Sequence, residues 1–466
     1  MSAPAAKKFD RSLVEGPIPG AILKIAWPTI VQNLIAGLQG LIDHALVGHY
    51  VGYHANAAIG VSWQIFLVIV VFISSIFSGM GVLVARSVGA GDESAVSRVV
   101  FQGVLVSLFL GVGIFAPVGW VLAPYLLQLV HAAPDVQVVA LPYLRLMFVF
   151  SIGMMFFYLI GGALRAAGDA KTPMRLGILL TVGNIVLATA FITGWGPLPA
   201  MGATGAALGT TIAGFITSIY ALWLLFSGRL VIDLRSAPRK IDWPVIKSIF
   251  RFGLPTGFQG IAMNLGGVFM LRYVGSLDHS AEAQAAYAVS YNQLFSFISW
   301  TSVALMAAAA TVAGQSLGAG LKDRAMAVPK EAVKVGLYIA TPLALLFLFA
   351  PRLLLGIFGM KDPLVLDLGE QFLAYLSLSA FFLMAALAYT GALQGTGDTR
   401  SPMYISIFSQ LILPLGIVAL LDMSHGLRPA DIWLAIVVGH FTRCALSMLR
   451  FHQGKWRHIE VSIGNA

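Results

Sequence analysis

Apolar runs of about 20 residues, the length needed to cross the hydrocarbon core of a bilayer, recur twelve times along this chain. They lie at roughly 22–47, 57–85, 97–123, 138–164, 175–194 and 203–227. A second set follows at roughly 246–275, 284–314, 331–355, 368–393, 403–422 and 431–450. In lipid a spanning segment must satisfy its own backbone polar groups, which selects the α-helix for runs of this length. Only 11% of the 466 residues are charged, against about 25% in a soluble globular chain, and mean hydropathy is +0.85. The fold class that follows is an all-α polytopic membrane protein. The first apolar run is too long for a signal-peptide core. The polar stretch before it, 1–20, is read as a tail ahead of a retained helix.

The net charge of +9 does not point to nucleic acid, because the basic residues lie in short connections between apolar runs. Arg86 and Arg98, then Arg165, Lys171 and Arg175, then Arg229, Arg235, Arg239, Lys240 and Lys247 fall on one side. Lys322, Arg324, Lys330, Lys334, Arg400, Lys455 and Arg457 continue the series, while the opposite side is nearly bare of Lys and Arg. By the positive-inside rule both termini are expected to be cytoplasmic, and the expected location is the cytoplasmic (inner or plasma) membrane. The lone cysteine, Cys444, excludes an intramolecular disulfide and a cysteine metal cluster.

The chain repeats itself. GGALRAAGDAKTPM, Gly161 to Met174, is matched 229 residues later by TGALQGTGDTRSPM, Thr390 to Met403. VGAG, Val88 to Gly91, matches LGAG, Leu317 to Gly320, at the same offset, and Pro28 and Gly48 match Pro255 and Gly275 with a drift of two residues. Six spans per copy is an even number, so the copies are parallel repeats. The expected organisation is a tail (1–20), a six-helix lobe (21–227), a cytoplasmic linker (228–245), a second six-helix lobe (246–450) and a tail (451–466). In each GDxxxPM element Gly and Asp suit a tight turn, and the proline suits the first turn of the next helix.

One carboxylate, Asp43, lies well inside the first span. An ionisable group at bilayer depth is costly, so it marks a functional site by default. Gln39, Ala36 and Gln32 share its helix face, which reads as turned towards protein or water. The second copy has Met270 in the corresponding place. Pro28, about four turns earlier, either bends this helix or begins it. His44 points about 100° away from Asp43 and reads as structural, with a proton relay as the alternative. His440 and Arg443, on the last span, read as a polar pair that satisfies itself. In-span polar and aromatic residues give candidates for a substrate cleft: Gln32, Trp63, Gln64, Gln259, Asn264, Tyr287, Tyr291 and Asn292. Aromatic faces suit organic cations. No GxxxxGK(S/T) loop, HExxH, CxxC or GxSxG motif occurs, so neither ATP-driven nor enzymatic chemistry is indicated.

The first-span proline and aspartate, the GAG loops and the paired ALRAAGDAKTPM and ALQGTGDTRSPM turns together make the chain resemble the multidrug and toxic compound extrusion (MATE) transporters over its whole length. The resemblance implies secondary active efflux of amphipathic, typically cationic organic compounds by a monomer, without a cofactor, driven by a proton or sodium gradient. It also implies that Asp43 is the coupling site, with partners on the fifth and sixth spans that fall here on Asn184 and Thr210, and Gln39 beside them. Many relatives carry a second Asp or Asn one turn beyond Asn184. Ala188 stands there in this chain, which favours protons over a sodium ion at Asp43. A branch of the family with acids on spans seven and ten finds no match around Met263, Asn264 or Leu383, so the first lobe is expected to couple alone. The remaining alternative is a flippase for lipid-linked oligosaccharides, which usually has extra spans and a cationic cleft.

Overall fold

The computed structural model describes residues 9–461 apart from 198 and 236. Among these residues the structure is helical, without strands. In chain order the long helices are α1 (Ile18–Tyr50), α2 (Tyr53–Ala90), α3 (Glu93–Leu129), α4 (Pro134–Val149 with Ser151–Ala166), α5 (Lys171–Thr193) and α6 (Gly202–Phe226). Then come α7 (Trp243–Val274), α8 (Ser280–Gly318), α9 (Lys322–Phe349), α10 (Pro363–Gly395), α11 (Arg400–Ser424) and α12 (Pro429–His452). Ten are long and apolar enough to span a membrane, and the bent pair in α4 makes eleven. The helix outside that count is α7, whose Gln259, Asn264, basic residues and glycines dilute its apolar content. Length and composition therefore support ten or eleven spans where the sequence suggests twelve.

The chain divides into two compact units. One holds Val31–Leu254, and the other holds Arg11–Ile30 together with Pro255–Val461. Two helices, α1 and α7, change unit along their length, each within three residues of a proline, Pro28 or Pro255.

In the first unit, α5 and α6 cross at glycines. A Cβ on Gly209 would lie 2.5 Å from the Ala188 Cα, and one on Gly205 would lie 2.5 Å from the Phe191 carbonyl oxygen. This GxxxG spacing lets the two backbones touch. Helix α4 breaks by 47° at Phe150. Gly153, just past the break, lies against the Phe215 backbone of α6, and the Ser218 hydroxyl donates to the Gly153 carbonyl at 2.5 Å. The linker before α7 is fixed to α3: Gln102 donates to the Lys240 carbonyl (2.8 Å) and accepts from the Asp242 N–H (3.1 Å), while Ser97 donates to the Asp233 carbonyl (2.7 Å). Hydrogen bonds from Arg235 hold the Asp233 carboxyl below its usual range.

In the second unit, the single turn Ser12–Glu15 packs on α8, and the Arg324 guanidinium donates to the Leu13 carbonyl at 2.9 Å. Helices α8 and α10 touch backbone to backbone, since a Cβ on Gly391 or Gly395 would fall about 2 Å from the carbonyl of Met306 or Ala310. The repeat governs such details. Gly162 lies against Phe77 in the first unit as Gly391 lies against Met306 in the second.

The GDxxxPM turns also agree between units. Gly168 and Gly397 adopt φ of 96° and 98°, in the left-handed region that favours glycine. Asp169 accepts from the Thr172 N–H (3.0 Å) and hydroxyl (2.6 Å), and Asp398 accepts from the Ser401 N–H (3.1 Å) and hydroxyl (2.9 Å). These are N-terminal caps for α5 and α11. Only the second copy adds an ion pair among the described residues, Asp398 with Arg450 at 2.7 Å.

The copies differ most in three π-helical segments, Phe109–Phe115, Ala288–Leu294 and Phe408–Ile412, none of which has a counterpart at the repeat-related position. Such segments commonly mark functional sites.

Candidate functional site

Asp43 lies on α1 and lines a cavity of about 300 Å³ inside the first unit. The Gln39 side chain, one turn earlier, hydrogen-bonds the carboxyl group. The Thr181 hydroxyl of α5 donates to Gln39 Oε1 at 2.8 Å, which leaves the Gln39 amide N–H to face Asp43. A threonine, an amide and a carboxylate thus form one relay across two helices. The other Asp43 oxygen, Oδ1, is buried with no hydrogen-bond partner.

A second pair adjoins the relay. Asn184, on the same face of α5 as Thr181, donates to Thr210 Oγ1 of α6 at 2.7 Å, and its own Oδ1 is buried without a partner. Thr210 lines the cavity with Asp43, and Asn184 stands behind it. The GxxxG crossing brings these two side chains together. Ala188 is buried in the same crossing, where Gly209 packs on its Cα.

The break in α4 supplies the opposite wall. Tyr143, Met147, Phe150, Ser151, Met154, Phe157 and Tyr158 line the cavity from both sides of the bend. Tyr143 lies in the electrostatic field of Asp43, and Tyr158 lies in that of Arg165. The remaining wall is apolar or aromatic, with Trp63 and Phe66 of α2 at a ring-centroid distance of 6.4 Å. An apolar chamber with a few convergent polar groups is the usual form of a small-molecule site.

Of the residues singled out in the sequence, the cavity brings together Asp43, Gln39, Thr210 and Trp63, with Asn184 one contact away. His44 also lines it and acts electrostatically on Asp43, although it sits a helical step aside, because the cavity is wide enough to take both. Gln32 lies outside the lining and accepts from Arg165 at 3.3 Å, and Gln64 is exposed elsewhere on α2.

None of the second-lobe candidates is among the residues that line this cavity. Gln259 is 4% exposed and held in a chain in which Gln394 donates to it (3.0 Å) and it donates to Ser406 (3.0 Å). This is the repeat partner of the Arg165–Gln32 contact, so each amide links helices at the equivalent place in its unit. Tyr287 is buried in an aromatic stack with Tyr291, Phe372 and Trp433. Asn264 is exposed and bonded back to the Gly260 carbonyl, and Asn292 is exposed. Pro28 lies ten residues inside α1, so it does not begin the helix; it removes the N–H that would bond the Lys24 carbonyl.

Sequence reasoning missed Thr181, Tyr143 and the α4 wall. Thr181 was reachable, since it precedes Asn184 by three residues on the same helix face. Among the described residues no group of three or more His, Cys, Asp or Glu side chains is placed to hold a metal ion.

The MatE family profile matches residues 28–190 and again 255–418. Over 442 residues the chain is 28% identical to the probable multidrug resistance protein NorM of Thermotoga maritima, covering 93% of this chain and 92% of that one. It is 25% identical over 447 residues to the probable multidrug resistance protein YoeA of Bacillus subtilis, covering 93% of each. The fold is similar to a multidrug resistance MATE family transporter of the MOP superfamily in an outward-facing conformation, with TM-score 0.87, 22% identity and coverage of 96% and 98%. It is equally similar, at TM-score 0.87, 21% identity and the same coverage, to a MOP superfamily transporter from Pyrococcus furiosus described as having a binding pocket of reverse polarity.

Proposed function

The chain belongs to the MatE family of membrane transporters, and from that premise we propose that it is a multidrug antiporter. It exports amphipathic organic cations in exchange for protons, and Asp43 carries the proton. The observation behind this reading is the Asp43 carboxylate, set in a membrane-spanning helix, lining a largely apolar cavity, with one oxygen held by Gln39 and the other unpartnered. A carboxylate whose buried oxygen meets no donor is a poorly solvated charge and costly, and taking up a proton neutralises that charge. The same cavity offers Trp63, Tyr143, Phe150 and Tyr158 to a flat organic cation. Proton and drug therefore compete for one chamber, which is the requirement for exchange.

A second reading, sodium coupling, draws on the buried, unpartnered Asn184 Oδ1. With Asp43 and the Thr210 hydroxyl it would add a hard-oxygen ligand for a small cation. Ala188 contributes no further oxygen, which leaves the proton as the favoured ion. Both readings keep the protein a monomer with both termini cytoplasmic, driven by an ion gradient and needing no cofactor.

Purified protein in vesicles decides between them. Dye efflux driven by an imposed pH gradient, unaffected by replacing sodium with choline, is expected. Efflux that follows only the sodium gradient would transfer the role to sodium, and no efflux under either gradient would overturn the assignment.

A further inference from the structure

A second buried charge, unused in the reading above, lies in the other unit. Arg443 of α12 is 1% exposed at the middle of a membrane-length helix. No carboxylate lies within ion-pair distance of it among the described residues. Its hydrogen bond is to the thioether of Met263, from Nη1 to Sδ at 3.7 Å, and its Nε has no partner. His440 and Ser447, one turn to either side on the same helix face, are equally buried, and His440 Nδ1 and Ser447 Oγ are also unpartnered. His440 and Arg443 therefore do not satisfy each other as the sequence suggested.

A fixed cation at such depth is costly unless an anion or water meets it. The groups around it are neutral: the Ser447 hydroxyl, the His440 ring and the Tyr291 phenol, which feels the charge of Arg443, and none supplies a negative charge. Tyr291 sits in the π segment Ala288–Leu294, which is absent from the other copy of the repeat. Met263, whose thioether touches Arg443, is itself 37% exposed and a flexible side chain.

We propose that Arg443, with Ser447 and Tyr291, forms an anion-recognition subsite beneath Met263 that binds the carboxylate of transported organic molecules. The substrate range then extends from organic cations to zwitterions and aromatic acids. A carboxylate supplies the negative charge that this cluster lacks, in the planar geometry that a guanidinium pairs best.

The proposal rests on the efflux reading, so its test separates the two. The probes are a rhodamine free acid and its methyl ester, which share the cationic ring system and differ only in the carboxylate. Their affinities for the purified full-length protein are measured by fluorescence polarisation. Arg443→Gln is expected to lower the ratio of acid to ester affinity by about tenfold or more, the size of a charge-assisted hydrogen bond. Met263→Ala is expected to raise that ratio, and it decides the matter if Arg443→Gln does not purify as a monodisperse protein. A ratio unchanged in the well-folded variant overturns the subsite while leaving efflux intact. Wild-type protein that binds neither dye overturns both.

Discussion

At the scale of single residues, the first unit is distinguished by how unevenly the Asp43 carboxyl is held. One oxygen is fixed by a Gln39 amide that Thr181 orients from another helix, and the other oxygen faces no donor. Asp43→Asn keeps the shape and removes the titration. Gradient-driven efflux from vesicles is expected to fall to the level of protein-free vesicles, with yield and elution profile unchanged; efflux at the wild-type rate would exclude Asp43 as the coupling group. Thr181→Val should free the Gln39 amide to rotate. It is expected to slow efflux several-fold at a stability cost of only about 1 kcal/mol, measured by transport and by thermal unfolding of the same preparation. The Asp43–Gln39 pair was legible in the sequence because i and i+4 share a helix face. Asn184 and Thr210 were reached only through family resemblance, since their pairing depends on a crossing of two helices. The bonds that Gln259 makes to Gln394 and Ser406 were not legible for a general reason: an amide in an apolar helix looks the same whether it faces a neighbour or a ligand.

At the scale of helices, close approach is set by glycine in some places and left slack in others. Gly395→Ala would push a methyl group into the Ala310 carbonyl, 2.0 Å away. A cost of about 2–3 kcal/mol is expected, read as a lower unfolding temperature. Gly60 of α2 has nothing within 4 Å of its missing Cβ, so Gly60→Ala should be neutral or stabilising by up to about 1 kcal/mol. The two GDxxxPM turns make a matched comparison. Asp169→Asn loosens a cap, at a cost of about 1 kcal/mol or less. Asp398→Asn also breaks the pair with Arg450, which is one quarter exposed, and should cost more, about 2 kcal/mol. Equal shifts in unfolding temperature would show that the ion pair contributes nothing. The turns, their glycines and their caps were readable because the chemistry is local. The break in α4 was not, because neither Phe150 nor Gly153 is a proline and the bend is held by Ser218 from another helix.

At the scale of the molecule, the repeat accounts for the common scaffold, and the proposed chemistry falls where it departs: a half-buried acid in one unit, a buried base in the other, and π segments that no partner copy shares. The two units also exchange short pieces of chain. The turn at Ser12–Glu15 and the first part of α1 pack with the second unit, where Arg324 holds Leu13. The first part of α7 packs with the first unit, where Gly253 lies against Ser75 and Gly79 faces Ile249 and Gly253. A chain severed within 228–245 therefore does not yield two finished halves. Each fragment carries away a segment that completes the other unit and lacks the one that completes its own. Expressed separately, the fragments are expected to be lost to aggregation or proteolysis. Expressed together, they should copurify as a single complex with near-native thermal stability. Either fragment surviving alone as a monodisperse species would contradict this mutual dependence. A gene split at the linker would thus behave as one indivisible unit of inheritance, since losing either piece removes both products.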